Sequence, residues 1–132
     1  MKTHIWSNVK PFPGKVNFVD SNNVILGYGL EQDCCEHACW SISQSQDGSN
    51  PIYKGDNSDE KEIDLDGYCF DPSYYERCDN DGNEEYVAVF KLVKAGWGEI
   101  KPDLFLRLEN HHNGYYSHGF TFRGDKVIDD SL

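Results

Sequence analysis

Basic residues are scarce in this sequence: 12 Lys and Arg stand against 23 Asp and Glu, and the 132 residues carry a net charge of −11 at pH 7. A surplus of that size repels phosphate backbones and anionic membrane surfaces, which argues against direct nucleic-acid binding. Long apolar runs are missing as well, and none approaches the ~20 residues that a membrane-spanning helix requires. Cysteine is limited to five, an odd number, so a secreted disulfide framework is not expected. The opening Met1-Lys2-Thr3-His4 runs into mixed polar and apolar sequence without the basic and apolar regions of a secretory leader. These absences lead to an expectation of a cytoplasmic chain with reduced thiols.

Helical periodicity is nearly absent. Leu30 to Cys39 has room for a turn or two, but Cys34, Cys35 and His37 are poor helix formers and no capping residue announces a start. Strand signals dominate instead. Lys15 to Val19, Asn23 to Leu30, Tyr86 to Lys94, Leu104 to His111 and Tyr115 to Arg123 combine β-branched or aromatic residues with stretches of alternation. Between the last two lies Asn113-Gly114, the dipeptide best suited to the positive φ angles of a type I′ hairpin turn. The loop Ala95 to Pro102 joins the preceding pair, so Tyr86 to Arg123 is predicted to form a three-stranded antiparallel meander.

The expected fold class is therefore mainly β, with a β-rich α+β arrangement as the alternative. One domain over residues 1–132 is expected, its core built from relatively few large aromatic side chains. The Ser-, Asn-, Asp- and Gly-rich stretch from Ser43 to Asp59 predicts a mobile acidic segment at about 44–85. The tail Asp129-Asp130-Ser131-Leu132 is expected to fray.

The densest chemical cluster is Glu31-Gln32-Asp33-Cys34-Cys35-Glu36-His37-Ala38-Cys39-Trp40. Adjacent Cys34 and Cys35 cannot easily reach one tetrahedral ion together, so packed thiols are favoured over a metal site through Cys34, Cys35, His37 or Cys39. Two stretches, from Glu62 to Gly67 and from Asp79 to Gly82, carry the alternating oxygens and glycine of a calcium loop. Neither has the bidentate Glu that closes one, since the twelfth position is Ser73 counted from Glu62 and Ala88 counted from Arg77. A cysteine nucleophile beside His37, His112 or His118, or an acid–base pair of His112 and His118, is chemically possible, but nothing in the spacing orders these groups. No catalytic residue, cofactor or metal is expected.

Acidity is concentrated. Between Asp56 and Glu85 there are twelve acids against Lys61 and Arg77. A solvated surface accounts for part of this, but the charges are interleaved with Tyr53, Tyr68, Phe70, Tyr74 and Tyr75, residue types that supply interface energy. The expected contact surface for a basic partner comprises Asp56, Asp59, Glu60, Glu62, Asp64, Asp66, Tyr68, Tyr74, Tyr75, Asp79, Asp81 and Glu84. A second candidate is a small-molecule rim of Tyr115, Tyr116 and His118, for which cross-strand aromatic pairing is the plainer account.

The motifs Glu31-Gln32-Asp33-Cys34-Cys35-Glu36 and Asn113-Gly114-Tyr115-Tyr116-Ser117 resemble those of an uncharacterised family of small bacterial and phage proteins with an acidic Cys-Cys-Glu motif and a C-terminal Asn-Gly-Tyr-Tyr hairpin. That resemblance implies no activity. In size and acidity the chain is also similar to bacterial immunity proteins, which sit in the cytoplasm and block a cognate toxin. The functional expectation is a non-enzymatic acidic inhibitor of a basic protein, of the kind that neutralises a nuclease-type toxin. The alternative is a phage-type anti-defence protein that sequesters or cleaves a small nucleotide signal.

Overall fold

Along Leu104–His111 every second side chain is buried, Leu104, Leu106, Leu108 and Asn110 facing inward and Phe105, Arg107, Glu109 and His111 outward. Apolar residues at period two cannot bury a helical stripe, so the segment extends and pairs with neighbours that repeat the pattern. In the computed structural model of the protein, which describes residues 2–7, 15–31, 36–56, 63, 65, 67–94, 102–112 and 116–132, this logic yields a nearly all-β chain.

The strands are β1 (Lys2–Ser7), β2 (Lys15–Val19), β3 (Ile25–Tyr28), β4 (His37–Ser43), β5 (Tyr53–Asp56), β6 (Tyr68–Phe70), β7 (Glu76–Arg77), β8 (Glu85–Lys94), β9 (Leu104–His111), β10 (Gly119–Arg123) and β11 (Val127–Ser131), with one 3-10 turn at Asp81–Asn83. They form two antiparallel sheets. The first has the order β1-β2-β3-β10-β11, the second β5-β4-β9-β8-β6, with β7 also pairing β8. Among the described residues, no helix is long and apolar enough to cross a membrane.

Side chains of both sheets meet in one buried cluster. Its ring contacts run across the two layers: Phe18 meets Trp40 edge-on at 5.2 Å, Phe70 meets Phe122 at 5.2 Å, and Phe90 meets both Phe120 and Phe122. Such aromatic pairs add about 0.5–1.5 kcal/mol each beyond the area they bury. Two polar ties reinforce the layers. Tyr28 of the first sheet donates its hydroxyl to the Glu109 carbonyl of the second at 2.7 Å. Asp20, buried at the end of β2, accepts from Asn22 N and Val24 N in its own turn and from Phe70 N of β6, each at 2.9 Å.

The mainly β, antiparallel class expected from the sequence is what forms, and the C-terminal part is a series of hairpins. The third strand of the expected meander lies elsewhere, however. β10 pairs β3 and β11 in the first sheet instead of β9. Both edges of β9 are already taken, by β4 over seven residue pairs and by β8 over eight, so no edge remains for β10. The Asn113-Gly114 turn lies outside the described residues.

Within the acidic stretch at 44–85, β5, β6 and β7 pair in the second sheet and Ile63, Leu65, Tyr68, Cys69 and Phe70 are buried, while residues 57–62, 64 and 66 lie outside the described residues. Its average charge conceals these apolar positions. The tail is likewise paired: β11 runs beside β10, and Leu132, buried at 2% exposure, exchanges both backbone hydrogen bonds with His118 at 2.9 Å.

Candidate functional site

The outer face of the second sheet collects the polar half of each strand's alternation. Register sets the rows: His37 on β4 stands opposite His111 on β9, which stands opposite Glu85 on β8. In the next row, Asp56 on β5 stands opposite Cys39 on β4, and Cys39 opposite Glu109 on β9. Directly opposed side chains in a sheet lie close enough to interact, so residues far apart in sequence become one cluster.

Beside this cluster opens a cleft of about 330 Å³ lined by His37, Cys39, Ser41, Lys54, Asp56 and Glu109 among others. Trp40 and Gly55 also line it. Gly55 is needed there, because a Cβ at this position would sit 2.7 Å from the Trp40 indole. The Trp40 Nε1–H is buried without a hydrogen-bond partner among the described residues. The wall near Gly48 is held by Asp47, which accepts from Ser49 N at 2.9 Å and Ser45 Oγ at 2.7 Å. Hydrogen bonds from Ser49 and Ser45 hold the pKa of the Asp47 carboxyl down at about 2.

Arg107 organises the carboxylates. It donates through Nε to Glu109 Oε1 and through Nη2 to Glu85 Oε1 at 3.4 Å, while its Nη1 reaches the Gln46 carbonyl at 3.2 Å. Burial works against its charge, but the bonds to Glu109 and Glu85 outweigh that and raise its pKa. The other Glu109 oxygen, Oε2, lies 3.7 Å from His111 Nε2 and accepts from Cys39 Sγ at 3.6 Å. One ligand atom each from Glu85, Glu109 and His111 lies within 4.8 Å of the others, a donor set of the kind that holds a metal ion. The His37 and His111 rings are 6.4 Å apart.

Cys39 is unsuited to nucleophilic chemistry in this setting. Burial, and then the negative charge of Glu109 and its hydrogen bond, push its thiol up from 9.0 to about 12. At neutral pH it is a protonated donor to Glu109, whereas a nucleophile must be a thiolate. Iodoacetamide at pH 8 is therefore expected to label Cys39 at least about tenfold more slowly in the folded chain than in urea, since far less of the thiol is ionised when folded. Equal rates, read by mass spectrometry of the Cys39 peptide, would contradict this. The sign for stability follows: the unfolded thiol ionises first, so this residue's contribution is intact below 9.0 and is lost as pH rises toward about 12.

The residues singled out in the sequence are dispersed. Asp56 lines the cleft, and Glu84 is exposed just before β8. Asp79 pairs with Arg77 at 2.8 Å and accepts from Val87 N at 3.0 Å. Tyr68 is buried and donates to the Pro102 carbonyl at 2.9 Å. Tyr75 packs on Phe90 and Phe120. Tyr74 packs on Phe105 and donates to Glu76 at 3.0 Å. Tyr68 and Tyr75 thus contribute to the packing of the fold.

His118 is buried and bridges Gly29 O at 2.6 Å and Glu36 Oε1 at 3.3 Å. Tyr116 is half-buried, its carbonyl accepting from Asn110. Asp59, Glu60, Glu62, Asp64, Asp66, Tyr115, Cys34 and Cys35 lie outside the described residues, as does the side chain of Asp81. The spacing of Glu85, Arg107, Glu109 and His111 does not reveal them as a group. Only the outward half of the β9 alternation, Arg107-x-Glu109-x-His111, hints at a polar face.

These features define an antiparallel two-sheet β protein with a polar cleft and a His–carboxylate cluster on one outer face. No protein family, curated protein or solved structure matches the chain.

Proposed function

We propose that the chain is a non-enzymatic acidic binding protein that docks on a basic protein surface in the cytoplasm, an immunity protein against a nuclease-type toxin being the kind of protein that fits. The observation that carries this reading is the gathering of acids from distant parts of the sequence at one end of the second sheet. Asp56 and Glu109 share one register row and Glu85 lies in the adjoining one, with exposed Glu84 just before it in sequence and Arg107 pairing with Glu85 and Glu109. Asp56 also begins the stretch that carries Asp59, Glu60, Glu62, Asp64 and Asp66. A concentrated negative field speeds encounter with a basic surface and makes the contact sensitive to salt.

The test is charge reversal. Asp56→Lys with Glu84→Lys is expected to weaken capture of a basic partner from lysate at low salt by at least about tenfold and to flatten its elution along a salt gradient. Capture unchanged in strength and salt dependence would overturn the proposal. The nucleotide-sequestering alternative has less support, because His118 is engaged by Gly29 and Glu36.

A further inference from the structure

We propose that Glu85, Glu109 and His111, with His37 as the fourth ligand, form a zinc site on the outer face of the second sheet. This goes beyond the binding function above, with which it shares Glu85 and Glu109, and its test does not depend on a protein partner.

The four side chains project from three adjacent strands, with His111 central, His37 and Glu85 directly opposite it on either side, and Glu109 two residues before it on β9. Donor atoms of Glu85, Glu109 and His111 already lie within 4.8 Å of one another. Tetrahedral zinc with bonds of about 2.1 Å holds its ligand atoms about 3.4 Å apart, so rotamer adjustments of roughly an ångström bring these three donors to bonding distance. Two imidazoles on one such ion have ring centres about 5–6 Å apart, and those of His37 and His111 are at 6.4 Å. Strands hold ligands more firmly than loops do, so the metal-free arrangement is close to the bound one.

Arg107 gives the site a supporting shell. It holds Oε1 of both Glu85 and Glu109, which offsets their mutual repulsion when no ion is bound and fixes their orientation. Ligating carboxylates are commonly anchored in this way by hydrogen bonds behind them. The two imidazoles point to zinc or a similar transition ion over calcium or magnesium, which take oxygen ligands. His111 and His37 are accessible enough for an ion to enter, the His111 side chain being 43% exposed.

The test uses the full chain stripped with chelator and titrated with Co²⁺ and then Zn²⁺. One equivalent of Co²⁺ is expected to give the visible d–d bands of a four-coordinate nitrogen and oxygen site, which Zn²⁺ then abolishes. Glu85→Gln and His111→Ala should each weaken binding at least about tenfold. Absence of stoichiometric binding, or binding unmoved by both substitutions, overturns the proposal. So does an intense ultraviolet thiolate-to-cobalt band, which would assign the ion to the cysteines. His37→Ala, at an exposed position, carries the same test should His111→Ala fail to fold, and thermal midpoints without metal identify that case.

Discussion

Asp20→Ala is expected to lower the free energy of unfolding by about 4 kcal/mol, among the largest losses available to a single polar substitution in this chain. The carboxylate accepts three backbone N–H groups at 2.9 Å, two from its own turn and one from Phe70. Hydrogen bonds to a charged acceptor contribute about 1.5–3 kcal/mol each, and a buried donor left without a partner costs about 1–3 kcal/mol. The turn amides of Asn22 and Val24 sit near the surface, where water replaces the carboxylate in part. Phe70 N lies in the core and does not have that recourse, so most of the loss is expected at this cross-sheet bond. Urea unfolding at constant m-value measures it, and Asp20→Asn, which keeps one carbonyl acceptor, should fall between wild type and Asp20→Ala. A loss under about 1 kcal/mol would show that the two sheets do not depend on this tie.

The second large effect is expected at His118→Ala, about 3 kcal/mol. His118 and Glu36 have side chains only 6% and 1% exposed, and they meet at 3.3 Å. His118 Nδ1 donates to the Gly29 carbonyl, so the Nε2–carboxylate bridge needs a proton on Nε2 or on the carboxyl. Removing the imidazole takes one partner from Glu36 in a site nearly closed to water and leaves the volume of the ring unfilled, and the two losses together set the expected cost. A double-mutant cycle with Glu36→Gln separates the pair's coupling from the packing lost with the ring. A coupling energy of about 2 kcal/mol is expected, and a value near zero would show that the two side chains are merely neighbours.

Much of the fold is legible where one face of a strand is apolar. Lys15–Val19 and Leu104–His111 have the bounds their sequence predicts, because Val16 and Phe18, and Leu104, Leu106 and Leu108, declare the inward side. β4 is not evident from the sequence, because its thiol and imidazole interrupt the alternation of Ala38, Trp40 and Ile42 with residues that favour neither strand nor helix. β11 is hidden for a different reason. An outer strand is held through its backbone, so its exposed Asp129 and Asp130 carry no sign of the pairing. The candidate site is illegible as a unit, because Glu85, His111 and His37 become neighbours only through the pairing of β8, β9 and β4. No sequence spacing encodes that register.

The closing of the two layers also bears on how fast the chain folds. β8 and β9, like β10 and β11, are successive hairpin partners, whereas β4 must find β9 and β3 must find β10 across most of the sequence. The ties that accompany these distant pairings, Tyr28 with Glu109 and His118 with Gly29, span 81 and 89 residues. Loop-closure entropy must be overcome before such contacts contribute, which places folding on a timescale of about milliseconds to seconds. In that interval the apolar inner faces of the early hairpins stand open, and the chain's strong like-charge repulsion is what keeps separate molecules from joining through them.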